Sequence, residues 1–329
     1  MSGLKVVVIG GGTGSFVVLS GLKRYTSNIT ALVSMADDGG STGQLRDELG
    51  ALPPGDVRQC LVALSDSPRL RELFTYRFEE GSLQGHAVGN LFLTALEKMT
   101  GSFVEAVEEA SRVLAIKGKV EPISLDEIHM SMVTPAGKVL KGQFVGAHAD
   151  FEGSLRPDVR LDQEAHINPA ARQAILDADI IVIAPGGLYT SLAPALIVNG
   201  VQDALKQAKA PLIYVSNLVT KPGQTDGFTV SDYASEIERF TDRYLDHVIY
   251  NNTPPSDTLL EKYAHDNEYP VAFNESQMST SHYHVHGVDL VARKITAATN
   301  GDSIADVRSF IRHDPDKLAQ QIIDIAKNL

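Results

Sequence analysis

The sequence predicts a doubly wound α/β fold: a mostly parallel sheet with helices on both faces. Three observations predict it. Val6-Val7-Val8-Ile9 is a continuous apolar run of the kind found in strands buried on both faces. The glycine turn Gly10-Gly11-Gly12-Thr13-Gly14 follows at once, then a helical pattern to about Tyr25 with apolar Phe16, Leu19 and Leu22, then a second strand from Ile29 to Met35. This is a βαβ unit, whose crossover is right-handed. The alternation returns in the second half, where Asp179-Ile-Ile-Val-Ile183, Leu212-Ile-Tyr-Val215 and His247-Val-Ile-Tyr250 are further buried runs with helices between them.

The remaining elements follow in order. Asp56 to Leu64, Pro68 to Phe78, Val88 to Met99 and Phe103 to Leu114 carry apolar residues three and four apart, so each is read as a helix. From about Lys119 to Leu161 the character changes: Val120 to Ser124, Ile128 to Val133 and Val139 to Val145 read as strands, with a turn from Pro135 to Lys138. This stretch reads as a small β insertion. Asn168-Pro169 and Asp314-Pro315 each pair an N-cap residue with a proline at the first helical position, and the last helix is amphipathic through Ile322, Ile323 and Ile325. With no repeat and no linker in sight, the economical reading is one Rossmann-like α/β domain over 1–329 with a β-rich insertion at about 119–161.

Composition narrows the function classes. The 329 residues carry a formal charge of −12, which argues against a general nucleic-acid or anionic-membrane binder. A phosphorylated ligand would therefore have to be held by backbone amides and a few placed side chains. The single cysteine, Cys60, excludes an intrachain disulfide and fits a reducing compartment. No apolar run approaches a membrane span, and the N-terminal apolar stretch is too short for a signal peptide, so a cytoplasmic protein is expected.

The candidate chemistry gathers at strand ends. Glycines after the first strand let a backbone approach a ligand, and the following helix N-terminus adds partial positive charge, which suits a phosphate or diphosphate. A tight turn with no ligand is the plain alternative. The dinucleotide fingerprint requires glycine at position 15, which is Ser15, and no Gly-Lys-Ser/Thr ending of a P-loop follows, so NAD and P-loop readings are weakened. Asp37 and Asp38, before Gly39-Gly40-Ser41, end the second strand. There an acid can meet a ribose, a pair can hold Mg²⁺ against a diphosphate, or the aspartate can simply cap a helix.

Asp56 is a candidate N-cap after Pro53-Pro54-Gly55, with Arg58 a fork for phosphate or carboxylate in the same crevice. Gly85-His86-Ala87-Val88-Gly89-Asn90 is another glycine-punctuated helix entry, its histidine either an acid/base group or a structural hydrogen-bonder. A second anion-binding turn follows the strand ending at Ile183, with Gly186, Gly187, Thr190 and Ser191. Asn217 and the loop containing Asp226 adjoin it. Together these imply one extended cleft for a nucleotide-sized ligand. His282, His284 and His286 would share a face if extended; zinc is one reading and a polar strand edge the other.

As an ordered set these motifs resemble the YvcK/CofD family. Those that carry the resemblance are Gly10 to Gly14, Ala36 to Ser41, Leu52-Pro-Pro-Gly-Asp-Val-Arg58, Gly85-His86 with Gly89-Asn90, Pro185 to Ser191, Asn217 with Lys221 to Gly227, and Arg312-His313-Asp314. One branch of the family holds 2-phospho-L-lactate transferases, which act on a guanosine diphosphate-linked donor with Mg²⁺. The other holds bacterial gluconeogenesis factors, which bind UDP-sugars such as UDP-N-acetylglucosamine and are needed for cell shape and wall synthesis on gluconeogenic carbon sources. The wording around Asp37 and Pro53 is closer to the second branch.

The resemblance implies that the turns at 10–14 and 186–191 hold the diphosphate, that Asp37 and Asp38 meet ribose or metal, and that Tyr263 and Arg312 lie at the sugar end. It implies a regulatory binding protein with a partner in wall-precursor synthesis; a homo-oligomer is compatible with this reading. The alternative is a transferase with Asp37, Asp38 and His86 as catalytic candidates. Thr42-Gly43-Gln44 is a mild variant of the usual family run, and the histidine-rich segment at 282–286 is not a family hallmark.

Overall fold

The structure is a computed structural model and describes residues 3–134, 136–143, 150, 156–265, 267–292 and 312–329. The strands are β1 (Val6–Gly10), β2 (Ile29–Val33), β3 (Lys119–Pro122), β4 (Met130–Val133), β5 (Val139–Lys141), β6 (Asp158–Leu161), β7 (Ile180–Ile183), β8 (Leu212–Val215), β9 (His247–Asn251) and β10 (His284–Val288). In the first half of the chain the helices are α1 (Gly12–Leu22), α2 (Gly40–Leu49), α3 (Gly55–Leu64), α4 (Pro68–Thr75), α5 (Val88–Thr100) and α6 (Phe103–Leu114). The second half adds α7 (Pro169–Asp177), α8 (Ala193–Leu196), α9 (Val201–Gln207), α10 (Val230–Thr241), α11 (Asp257–His265), α12 (Glu275–Met278) and α13 (Pro315–Lys327).

Seven strands form one parallel sheet in the order β10-β9-β8-β7-β1-β2-β3. The apolar runs explain the centre: β1, β7 and β8 are buried along their whole length, as strands covered on both faces must be. From β1 the chain winds outward one way through β2 to β3, and from β7 it winds the other way. Right-handed crossovers in opposite directions put the intervening helices on opposite faces. Accordingly α1 packs on α3 and α13, whereas α7, α9 and α10 pack among themselves. The α1–α13 contact is close: a Cβ on Gly21 would lie 2.1 Å from the Pro315 carbonyl oxygen.

Asn168 and Asp314 cap α7 and α13 as their Asn-Pro and Asp-Pro pairs predict. The helix predicted to run to Phe78 stops at Thr75. The β-rich stretch differs from expectation at its start. Lys119–Pro122 pairs in parallel with β2 and forms the edge of the main sheet; only β4, β5 and β6 make a separate antiparallel sheet, in the order β5-β4-β6. Alternation in a four-residue strand does not reveal which sheet it joins. Part of the predicted strand Val139 to Val145 lies outside the described residues, as does Pro135 of the predicted turn.

Candidate ligand-binding cleft

In a parallel sheet wound outward from two adjacent strands, the loops at their carboxyl ends diverge and leave a crevice. Here those strands are β1 and β7, paired from Val6↔Ile180 to Ile9↔Ile183. The two glycine turns leave from their ends and touch. A Cβ on Gly14 would lie 1.7 Å from the Pro185 carbonyl oxygen, and one on Gly11 would lie 2.0 Å from Asp56 Oδ2 and 3.2 Å from Ser191 Oγ. Gly12 has φ +59°, a conformation glycine adopts at little cost. Three segments remote in sequence therefore converge on one backbone. The close packing that a third fingerprint glycine would give is supplied at Gly14, while Ser15 is buried beside Gly10.

The second turn is a single wide helical turn, Leu188–Leu192, in which the Ser191 and Leu192 amides both bond the Gly187 carbonyl. The Asn217 side chain holds its entrance by donating to Gly186 O (2.9 Å) and accepting from Gly186 N (3.2 Å). Thr13, Gly14, Gly186, Asn217 and Arg312 line a cavity of about 150 Å³ with Val17, Pro185, Leu218, Val219 and His313. That is below the ~300–1,000 Å³ of a pocket enclosing a drug-sized ligand.

His313 belongs to the Arg312-His313-Asp314 motif, which gives it no site role of its own. It is buried and its Nε2 donates to Ser216 O at 3.1 Å; burial pushes its pKa down to about 4.

The other bank is organised by a chain of polar contacts. Arg58 Nε donates to Asn90 Oδ1 (2.8 Å), Asn90 Nδ2 donates to Ser41 Oγ (3.2 Å), and Ser41 Oγ lies 3.0 Å from His86 Nδ1. The structure thus links four of the sequence-predicted residues, but gives Arg58 a different place from the expected ligand-facing fork. It is buried, bonds Asn90 and, at 3.4 Å, the Phe74 carbonyl, and passes so close to Gly89 that a Cβ there would lie 2.7 Å from its Cδ. Asp56 also differs from its expected role. Helix α3 starts at Gly55 with Pro54 at the cap, which places the Asp56 carboxylate in the first turn, against Gly11.

Asp37 accepts from the Gly39 amide at 3.1 Å, and a Cβ on Gly55 would lie 2.5 Å from its Oδ2 and 2.4 Å from Thr42 Oγ1. Burial raises its pKa, with the charge of Asp38 adding to this; the Gly39 amide, Thr42 and Arg58 oppose it. Asp38 Oδ2 accepts from the Gln143 amide, 2.8 Å away in the segment after β5.

Helix ends add donors. No side chain caps α1, α2, α3 or α5, each of which opens at a motif, whereas α6, α7, α10 and α13 have capping side chains. α4, α8 and α9 lack one too, so a missing cap alone does not mark a site. Uncapped first-turn amides at the cleft carry the positive end of each helix dipole.

Other predicted residues are more peripheral. Thr190 is buried with its hydroxyl folded over Gly187. Exposed Asp226 closes its own turn by accepting from the Gly223 amide. Tyr263 is buried in α11 and is not among the residues lining the cavity. His282 precedes β10 and pairs with Glu238, while His284 and His286 flank His247 of β9, with His286 Nε2 3.1 Å from His247 Nδ1. Burial and the neighbouring imidazoles lower the pKa of His286 to about 4, and burial with the His284 charge lowers that of His247. Among the described residues no group of three or more histidine, cysteine, aspartate or glutamate side chains could hold a metal ion, and no helix is long and apolar enough to cross a membrane.

A family model described as 2-phospho-L-lactate transferase CofD matches residues 6–291. The chain belongs to the YvcK/CofD family. Within it, a relative from Thermotoga maritima is 41% identical over 326 residues, covering 98% of this chain and all of the relative. A gluconeogenesis factor from Halalkalibacterium halodurans is 37% identical over 329 residues, covering 97% of this chain and 95% of the relative. A crystal structure of a UPF0052 family member from Bacillus halodurans superposes with a TM-score of 0.87 at 36% identity, covering 97% of this chain and 99% of that one. By sequence and fold, this YvcK/CofD chain therefore lies among proteins described as gluconeogenesis factors.

Proposed function

We propose that the chain is a cytoplasmic regulatory protein that binds a nucleotide sugar of the UDP-N-acetylglucosamine type and passes its bound state to a partner in wall-precursor synthesis, supporting cell shape under gluconeogenic growth. The observation that carries the ligand reading is the meeting of the two glycine turns at the β1–β7 switch point, where Gly11 lies against both Asp56 and Ser191 and Gly14 against Pro185. Backbone amides there suit a diphosphate, and Arg312 supplies a cation at the cavity wall. The role in growth and the partner class come from the family resemblance.

A thermal-shift panel of UDP-N-acetylglucosamine, UDP-glucose, GDP with Mg²⁺, and NAD tests the reading. A ligand at 100 times its Kd stabilises by about 2.7 kcal/mol. Stabilisation by UDP-sugars is expected; a response to GDP with Mg²⁺ alone would overturn it.

A second reading, a transferase acting at a nucleotide diphosphate, is favoured by the family match. Asp37 and Asp38 would hold Mg²⁺ as a pair of hard carboxylates, with phosphate oxygens completing the shell, since among the described residues no third histidine, cysteine, aspartate or glutamate joins them in a metal-binding group. The metal would offset charge developing on the leaving phosphate. Under this reading Asp37→Asn or Asp38→Asn abolishes turnover with little change in binding; under the first, it weakens UDP-sugar binding and no product forms.

A further inference from the structure

Glu236 of α10 has no exposed surface, and a carboxylate taken out of water requires charged partners. It has two. Arg239, one turn further along α10, donates from Nε to Oε1 (3.1 Å) and from Nη2 to Oε2 (2.6 Å). Arg156 donates from Nη1 to Oε1 at 2.9 Å. Arg156 does not belong to α10: it lies two residues before β6, at the edge of the small antiparallel sheet. Its Nη2 also reaches Asp232 Oδ1 at 3.3 Å, and its guanidinium stands over the Phe228 ring. Arg239 Nη2 in turn donates to the Pro157 carbonyl.

The Leu188–Leu192 turn packs on α10: Tyr189, fully buried in that turn, stands edge-on against Phe240 of α10 with centroids 6.2 Å apart. Burial and the Glu236 charge hold its hydroxyl protonated. Thr190 and Ser191, the polar residues of that turn, follow directly in sequence. The small sheet also meets the opposite bank, through the Gln143 amide on Asp38; a Cβ on Gly142 would lie 2.6 Å from the same oxygen. One appendage therefore contacts both sides of the cleft.

We infer that Arg156 is a positioning residue: by holding Glu236 it fixes α10, whose Phe240 packs on Tyr189, and so seats the Gly186–Ser191 turn against the Gly10–Gly14 turn, with the small sheet setting the shape of that turn. The consequence for binding rests on the nucleotide reading above; the consequence for the turn does not. A lysine at 156 keeps one charge but cannot bridge Asp232 and Glu236 as a planar fork does.

The test is amide hydrogen exchange over Leu188–Leu192 in the ligand-free wild type, Arg156→Lys and Arg156→Met, with UDP-N-acetylglucosamine affinity measured on the same samples. Exchange in this turn is expected to rise several-fold in Arg156→Met and less in Arg156→Lys, with β7 and β8 unchanged, and affinity to fall roughly tenfold in parallel. Equal exchange in wild type and Arg156→Met, or a rise spread evenly over the sheet, would overturn the inference. Should Arg156→Met not fold, Arg156→Lys against wild type decides by the same criterion. If the wild type binds no ligand of the panel, the proposed ligand fails, and the exchange measurement still decides the role of Arg156.

Discussion

Gly14 and Pro185 meet backbone to backbone, with room for no side-chain carbon between the first turn of α1 and the carbonyl that follows β7. Gly14→Ala is therefore expected to push the two turns apart. The obstacle is a main-chain atom that cannot rotate away, and overpacking of this kind costs about 1–3 kcal/mol. Urea denaturation should show the loss of stability, and nucleotide-sugar affinity should fall with it. A variant with wild-type stability and affinity would mean that the turns are not in contact.

Arg58 is buried and holds Asn90, which in turn holds Ser41. Arg58→Lys keeps the charge but loses the Nε donor to Asn90, which leaves Asn90 and Ser41 poorly held. A stability loss of about 1–3 kcal/mol is expected for the disrupted buried hydrogen bond. Thermal unfolding of the ligand-free protein measures it directly. If Arg58 were instead a ligand fork, affinity would fall while ligand-free stability stayed the same.

Asp37 gives a pH signature. Its folded-state pKa is raised, so the folded protein holds this proton more tightly than the unfolded chain. The associated stability is complete below the ordinary aspartate value of about 3.9 and is lost as pH rises through the folded value. Asp37→Asn removes the titration. The variant should therefore gain stability relative to wild type between pH 4 and pH 8, measured by denaturant titration at both.

His313 gives the opposite slope. With a folded pKa of about 4, against about 6.5 for free histidine, its contribution is complete above pH 6.5 and is lost as pH falls toward 4. The difference amounts to about 3 kcal/mol at full protonation of the unfolded state. His313→Asn should flatten the acid limb of the stability profile between pH 4 and pH 6.5. Because His313 lines the cavity, the variant should also weaken any ligand seated there.

The framework was legible because its signals are local. Val6–Ile9 and Ile180–Ile183 read as doubly buried strands from composition alone, and the Asn168-Pro169 and Asp314-Pro315 caps form as their residue types dictate. The side-chain assignments at the site were less legible because they depend on which remote segments meet. The sequence does not say that Asp56 will turn toward Gly11 instead of capping its helix, nor that Arg58 will lie along Gly89 to reach Asn90. Both follow from how α3 and α5 pack, information distributed over many apolar residues. The same holds for Lys119–Pro122, whose membership of the main sheet is decided by the edge that β2 leaves open.

The central position of β1 has a consequence for how the protein is made. Its neighbour on one side, β2, follows within about two dozen residues, but its neighbour on the other side, β7, ends at Ile183. At about 5–20 residues per second, synthesis from the end of β2 at Val33 to Ile183 takes on the order of eight to thirty seconds. For that interval the nascent β1–α1–β2 unit carries an apolar strand edge with no partner, which is the kind of surface that recruits chaperones or pairs with the wrong chain. Both banks of the cleft meet only after β7 has docked, so the nascent chain acquires the geometry of the candidate site late, and all at once.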